Sequence, residues 1–294
     1  MSSTYSTSLL PQHALAHARS PSVDQGIRPI CFVTVSPRLR KELARRYNEI
    51  EALEKISLPP VKFFSLRELL DGLLQTSNAD IKMSDACNFL EYVHSRKSYV
   101  DLVVESSEVE NEIGGVIMGS LEAALKKSPL TRDEYISNKR SNVSGDSEEG
   151  RAKRHAIYDE YEQYRKWKLN TEKFDMNDVV LKLITSRTCR RQWFDSAYLD
   201  EIQDFSSASI YLIANIAGKD HIHWVCAGDT AQMISPGCSF TFDGLKQVKF
   251  SGVANSIILN FFFYCASLNS SLIYRALTIS ALFGLDDQNR YFLP

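Results

Sequence analysis

Short apolar runs and longer amphipathic ones alternate along this chain from Ile30 onward. Ile30–Val35 is rich in β-branched and aromatic residues and is closed by Ser36 and Pro37, so it reads as a short buried strand. Arg38–Ile50 then places Leu39, Leu43 and Tyr47 at helical spacing with charged residues between them, the pattern of a helix with one apolar face. Phe63 and Phe64 form a second strand, and Ser65 with Glu68 three residues later is a capping box that opens a helix to Leu74. Further helical patterns cover Ser84–Ser95, Ser107–Lys127 and Thr131–Asn138, while the polar stretch Asn138–Gly150 reads as a loop. Arg151–Leu169 carries Ile157, Tyr161, Tyr164 and Lys168 on one helical stripe, which is more often a core face than a platform for stacking bases. Asp175 or Asn177 caps a helix to Leu183, and a connector rich in Cys and Arg, Ser186–Gln192, leads to a third strand ending at Leu199. Trp224–Ala227 predicts a fourth strand, with Gly228 and Asp229 as the turn at its tip.

Strands alternating with helices indicate an α/β class, and 294 residues with 44% hydrophobic and 24% charged content suffice for a sizeable core. A formal net charge of -2 supplies no overall attraction to nucleic acid, so any such contact has to come from local basic or aromatic patches. The six cysteines show no C-x-x-C spacing and read as reduced core thiols rather than a zinc site. His221 and His223 flank Ile222 without a third ligand nearby, the pattern of loop or strand-edge histidines. Residues 1–27 are rich in Ser, His, Ala and Pro and read as a disordered tail; a transit peptide is the alternative, disfavoured because Arg19 is the only Lys or Arg before Arg28. Residues 249–294 are divergent and apolar. Phe250–Tyr274 is uncharged and long enough for a membrane helix, but Asn255, Asn260, Asn269, Ser270 and Ser271 make it a poor one, so a membrane partner is not expected. A translated intron or frameshifted end, a buried helix pair and an anchor remain as readings of that stretch, in that order.

The chemistry concentrates in two runs. Ser196–Leu199 feeds the acidic pair Asp200 and Glu201, and Val225–Gln232 repeats the layout. Carboxylates at the C-terminal edge of a buried strand lie where α/β sheets place their ligands, and such a tip can hold Mg²⁺ and polarise a water. Asp200-Glu201-Ile202-Gln203-Asp204 resembles motif II, the Walker B box, of UvrD/Rep-like superfamily 1 helicases, and the run from Gly228 to Phe240 resembles their motif III. Ile30–Leu43 is similar to motif Ia, and Phe174–Leu181 resembles the short F-D-x-x-D segment before motif II. The likeness covers Ile30–Val248 and is closest to helicase-like proteins that carry TPR and ankyrin repeats elsewhere; no such repeats are visible here.

This resemblance implies an incomplete RecA-like (P-loop NTPase) parallel sheet with a mostly helical insertion. Residues 28–60 would be the first part of the core, 61–170 an insertion equivalent to subdomain 1B, and 171–248 the return to the core. It implies ATP and Mg²⁺ as cofactors, single-stranded DNA or RNA as partner, and an intracellular setting, nuclear or cytoplasmic. Asp200 would hold Mg²⁺ with Glu201 beside it, Glu201 would orient and deprotonate the attacking water, and Gln232 would sense the γ-phosphate. Asp229 would fix the Gln232 loop. Thr34 would lie near a phosphate of the bound strand, and Arg38, Arg40, Arg45 and Arg46 on the following helix would assist unless all four form an ordinary solvated face. Phe240 and Phe242 stand where the family places aromatics near bases, or else in the core.

The family's phosphate-gripping loop, G-x-x-x-x-G-K-[ST], belongs upstream of motif Ia, but residues 1–29 hold Gly26 as their only glycine and no Lys occurs before Lys41. The likeness also fades before a second RecA-like domain. The chain therefore reads as a fragment of an ATP-dependent helicase or translocase with weak or no ATP hydrolysis in isolation. One rival is a non-catalytic interaction module that keeps only the fold. Another is a metal-dependent nuclease built on Asp200, Glu201, Asp204 and Asp229, which would leave Gln203 and Gln232 without a role.

Overall fold

The computed structural model describes residues 29–54, 60–77, 79–96, 106–138, 147–217 and 224–228. Strands β1 (Ile30–Thr34), β2 (Val61–Ser65), β3 (Ser196–Leu199) and β4 (Trp224–Cys226) form one sheet in the order β2-β1-β3-β4, all neighbours parallel. β1 is central, which explains its unbroken apolar run: Cys31, Phe32, Val33 and Thr34 are all buried. The architecture is α/β, as the alternating pattern predicts, and its small parallel sheet with many helices is consistent with the partial RecA-like domain that the resemblance implies.

Helix α1 (Pro37–Glu54) crosses from β1 to β2, starting at the proline that fits a helix's first turn. Its apolar face meets one side of the sheet through Leu43 and through Tyr47, whose ring stands edge-on to Phe63 at 5.4 Å. Phe63 in turn neighbours Phe32, its register partner on β1. Phe64 turns to the opposite face and meets Phe194. Helix α2 (Leu66–Thr76) opens with the expected capping box: Ser65 accepts the Glu68 amide and Glu68 accepts the Ser65 amide. Burial works against the charge of Glu68, but Arg40 and Ser65 hold its carboxyl below the usual range.

The next pattern divides where one helix was expected. Met83–Asp85 is a short 3-10 turn, and helix α3 (Phe89–Ser95) starts anew because the Asn88 side chain accepts the Glu91 amide at 2.9 Å. The continuous helix predicted over Ser107–Lys127 is likewise replaced by α4 (Ser106–Asn111), a π-helical segment (Glu112–Ile117) and α5 (Leu121–Lys126). Glycines at 114, 115 and 119 loosen the α-helical preference, and the fold uses the last of them for close packing. A Cβ on Gly119 would lie 2.1 Å from the Gly114 carbonyl oxygen and 2.9 Å from Ser206 Cβ. Ser120 then caps α5.

Helix α6 (Arg132–Ile136) carries a second capping box, Thr131 with Glu134. Helix α7 (Glu148–Asn170) is the spine of the helical region, and the stripe Ile157, Tyr161, Tyr164 and Lys168 is buried along it. Tyr164 meets Phe89 edge-on at 5.3 Å and Tyr92 at 5.2 Å, so the stripe is a packing face, as its spacing suggests. Each fully buried aromatic or Leu side chain here contributes ~1.5–3 kcal/mol of hydrophobic stabilisation. Helix α8 (Met176–Thr185) is capped by Asp175, with Asp178 returning the bond to the Asp175 amide. A 3-10 turn, Thr188–Arg190, joins α8 to β3, and helix α9 (Ser207–Ile216) packs against α5 and α8. The 1–27 tail, the 139–146 part of the polar loop, His221, His223 and residues 249–294 lie outside the described residues. No helix among the described residues is long and apolar enough to cross a membrane.

Candidate functional site

The parallel sheet brings the C-terminal ends of β1, β3 and β4 to one edge. Thr34 ends β1, Asp200 and Glu201 follow β3, and Ala227 and Gly228 follow β4. Backbone hydrogen bonds carry the alignment past the strands: the Asp200 amide donates to the Val33 carbonyl at 3.0 Å, and Ala227 donates to Leu199 at 2.8 Å. The Ile202 amide then donates to the Ala227 carbonyl at 3.0 Å, tying the turn after β3 to the tip of β4. The two adjacent strand ends expected from the sequence do share this edge.

At Glu201 the backbone turns sharply out of β3 into a 3-10 turn, Ile202–Asp204, through a left-handed conformation with φ 55° and ψ 47°. A non-glycine residue there costs ~1–2 kcal/mol. The strain is held by packing. The buried Gln203 donates from Nε2 to Glu201 Oε2 at 2.6 Å, fixing the carboxylate at the strand end. Gly228 closes over the same turn: a Cβ on it would lie 2.4 Å from Gln203 Oε1 and 2.8 Å from Ile202 Cγ2. Only glycine allows that approach.

Electrostatically the pair is held under tension. Burial, and then the Glu201 carboxylate beside it, push the Asp200 pKa up to about 6 against the opposing hydrogen bond from the Glu201 amide. No Lys, Arg or His makes an ion pair with Asp200 among the described residues. Two carboxyl groups side by side at a low-dielectric edge favour a proton or a divalent cation, so the donor set fits Mg²⁺. Among the described residues no three of His, Cys, Asp and Glu gather as a metal site of their own. Asp204 lies on the 3-10 turn following Glu201.

The other site residues named from the sequence divide into three groups. Thr34 reaches the edge but is fully buried, and its Oγ1 accepts the Ser36 amide at 3.3 Å. Arg38 is exposed on the first turn of α1 and makes no ion pair among the described residues. Its neighbours do: Arg40 binds Glu68, Arg45 binds Glu42 and Glu49, and Arg46 binds Glu42. Asp229, Gln232, Phe240 and Phe242 lie outside the described residues. The four described cysteines, Cys31, Cys87, Cys189 and Cys226, are free and buried, in keeping with core thiols. Two features of the edge escape the sequence pattern. Gln203 as the clamp on Glu201 has no periodicity to announce it, and the left-handed backbone falls on Glu201 where Gly or Asn would be the usual signal.

Residues 23–235 match the family model of the UvrD/REP helicase N-terminal domain, well over half of the chain. No curated protein matches it.

Proposed function

Because the chain belongs to the UvrD/REP helicase N-terminal domain family, we propose that the edge formed by Asp200, Glu201 and Gly228 is the magnesium-nucleotide end of an ATP-dependent nucleic-acid motor. The observation that carries this reading is Asp200, a half-buried carboxyl with a raised pKa and no ion-pairing cation among the described residues, beside a Glu201 held in a strained backbone by Gln203. Asp200 and Glu201 are the residues that would hold Mg²⁺, which when bound would neutralise the charge of the triphosphate. Glu201, clamped by Gln203, accepts a proton from a water at the strand tip; Asp229 and Gln232, which follow Gly228 in sequence, are given the role of following the state of the site. Thr34 supports the edge from within, and Arg38, exposed and without an ion pair among the described residues, meets the backbone of a single strand. Phe240 and Phe242 belong to the same reading as base-stacking groups.

The reading keeps the likeness of Ile30–Val248 to helicase-like proteins that carry TPR and ankyrin repeats and takes the helical region as the counterpart of subdomain 1B. Residues 1–29 hold no G-x-x-x-x-G-K-[ST], so weak nucleotide binding and slow turnover are expected of this chain by itself. The test is ATP hydrolysis with and without single-stranded DNA or RNA, comparing the native chain with Glu201→Gln. Strand-stimulated, Mg²⁺-dependent turnover that disappears in the variant supports the motor. Turnover unchanged in Glu201→Gln, or nucleotide binding indifferent to Mg²⁺, rejects it.

A further inference from the structure

The arginine-bearing surface that the sequence pointed to and the one that the structure leaves open are different. On α1, three of the four arginines are spent on carboxylates. On the connector between α8 and β3, Arg187, Arg190 and Arg191 are all exposed, and none makes an ion pair among the described residues. They are also firmly presented. The Arg190 amide donates to the Arg187 carbonyl at 3.1 Å, which puts these two side chains on the same side of a 3-10 turn. Cys189 points inward and is buried, and its thiol is pushed up to about 12 by that burial. Trp193 donates from Nε1 to the Thr188 carbonyl at 3.0 Å, and the Trp193 amide donates to Ile216 at 2.7 Å, so the turn is pinned to the core at both ends. The Arg191 guanidinium lies over the Trp193 ring at 4.8 Å. Exposed Lys182, on α8, adds a fourth positive charge without an ion pair among the described residues.

Among the described residues the surroundings do not cancel this charge. Helix α9, which packs on the turn, carries no Asp or Glu, and the Asp178 carboxylate of α8 is engaged by Lys168. The one carboxylate close in sequence, Asp195, accepts from Gln192 Nε2 at 3.2 Å and sets a single negative charge against the positive charges of Lys182 and the three arginines. Nor does the patch belong to the strand-tip site. The connector enters β3 at Ser196, whereas Asp200 leaves it at the other end, roughly 13 Å farther along the strand.

From this geometry we propose that Arg187, Arg190 and Arg191 form a second nucleic-acid contact, a phosphate-backbone clamp at the sheet edge opposite Asp200 and Glu201. The reading rests on the proposed action on nucleic acid but not on the nucleotide site. Phosphate is favoured over an acidic protein because the chain's helicase family already places a nucleic acid in the proposed function; guanidinium forks match its phosphate oxygens in pairs, and a chain of net charge -2 needs a local patch to engage such a polyanion. The clamp carries no sequence preference, since backbone contacts position without reading bases.

The experiment is fluorescence anisotropy of a labelled 20-nucleotide single-stranded DNA against the full chain over a range of salt. The native protein is compared with the triple Arg→Ala and the triple Arg→Lys variants at positions 187, 190 and 191, and with Arg190→Glu, each checked for folding by circular dichroism. Removing three phosphate contacts is expected to lower the log–log salt slope by roughly 2 and to weaken binding about tenfold or more at low salt. The lysine variant should keep most of the slope. Equal slopes for the native and alanine proteins would overturn the clamp while leaving the strand-tip site untouched. Absence of DNA binding by the native chain would overturn both the clamp and the nucleic-acid part of the functional reading, yet leave Mg²⁺-dependent ATP binding as a separate result. Patch-dependent binding of poly-glutamate without binding of DNA would overturn it in favour of an acidic protein partner.

Discussion

Buried charge is handled in opposite ways in the helical region and at the sheet edge. Around α7, Lys168 Nζ meets Asp175 at 2.7 Å and also Asp178, and Glu160 accepts from Tyr92 at 2.8 Å and from Arg96. Buried Glu112 accepts from the Tyr135 hydroxyl, and Arg154 donates to the Ile136 carbonyl at 2.6 Å. Burial disfavours the Lys168 ammonium, but Asp175 and Asp178 hold its pKa above the ordinary lysine range. At the sheet edge Asp200 has the opposite fate: burial and Glu201 raise its pKa, and no cation offsets them among the described residues. The difference separates charge that serves packing from charge kept for a ligand, because an unpaired buried carboxyl is tolerated only where something else compensates it.

The strongest way to break the paired side of this contrast is Lys168→Met. It strands Asp175 and Asp178 without their cation and should cost about 3–5 kcal/mol, read as a fall in the urea midpoint. If stability barely changes, the cluster is not the electrostatic lock between α7 and α8. Gly119→Ala is next. The added Cβ meets a backbone oxygen that cannot step aside, so a loss of ~1–3 kcal/mol is expected in the same assay. Gly228→Ala should perturb the other region instead, shifting Gln203 and with it Mg²⁺-dependent nucleotide binding.

On the unpaired side the sign reverses. The Asp200 carboxyl has a folded pKa of about 6 against an ordinary 3.8, so its protonated form favours folding. That contribution is full below pH 4 and is lost as pH rises through 6. Asp200→Asn should therefore stabilise the protein at pH 7, by ~1–2 kcal/mol given the partial solvent access of the group, and the gain should vanish near pH 4. Melting curves of both proteins across that range check it; a variant less stable at pH 7 would show that Asp200 is structurally paired. Smallest is Ser65→Ala, which removes a capping-box acceptor at the start of α2 and should cost about 1 kcal/mol without altering nucleotide binding.

The same contrast explains what could be read in advance. Repeating patterns were legible: the four strands, the capping box at Ser65, and the core stripe of α7 follow from periodicity and spacing. The acidic pair was legible as a strand-tip motif because Ser196–Leu199 leads straight into it. What depended on long-range approach was not. Nothing local marks Gly119 as the point where the helical region meets Ser206, and the expected long helix gave way to a π-helical segment there. The engagement of Arg40 could not be read in advance, since only tertiary structure brings Glu68 to it. Within α1, Glu42 and Glu49 stand three and four residues from Arg45, a spacing that the sequence does display.

The most direct test of the strand-tip site is paramagnetic broadening by Mn²⁺, a stand-in for Mg²⁺, in amide NMR spectra of the chain with ATP. Broadening centred on Leu199–Gln203 and Cys226–Gly228, abolished in Asp200→Asn and weakened as the pH drops below 6, is the expected result. Broadening centred elsewhere, or unchanged when Asp200 is replaced, would contradict the assignment of this edge as the metal-nucleotide site.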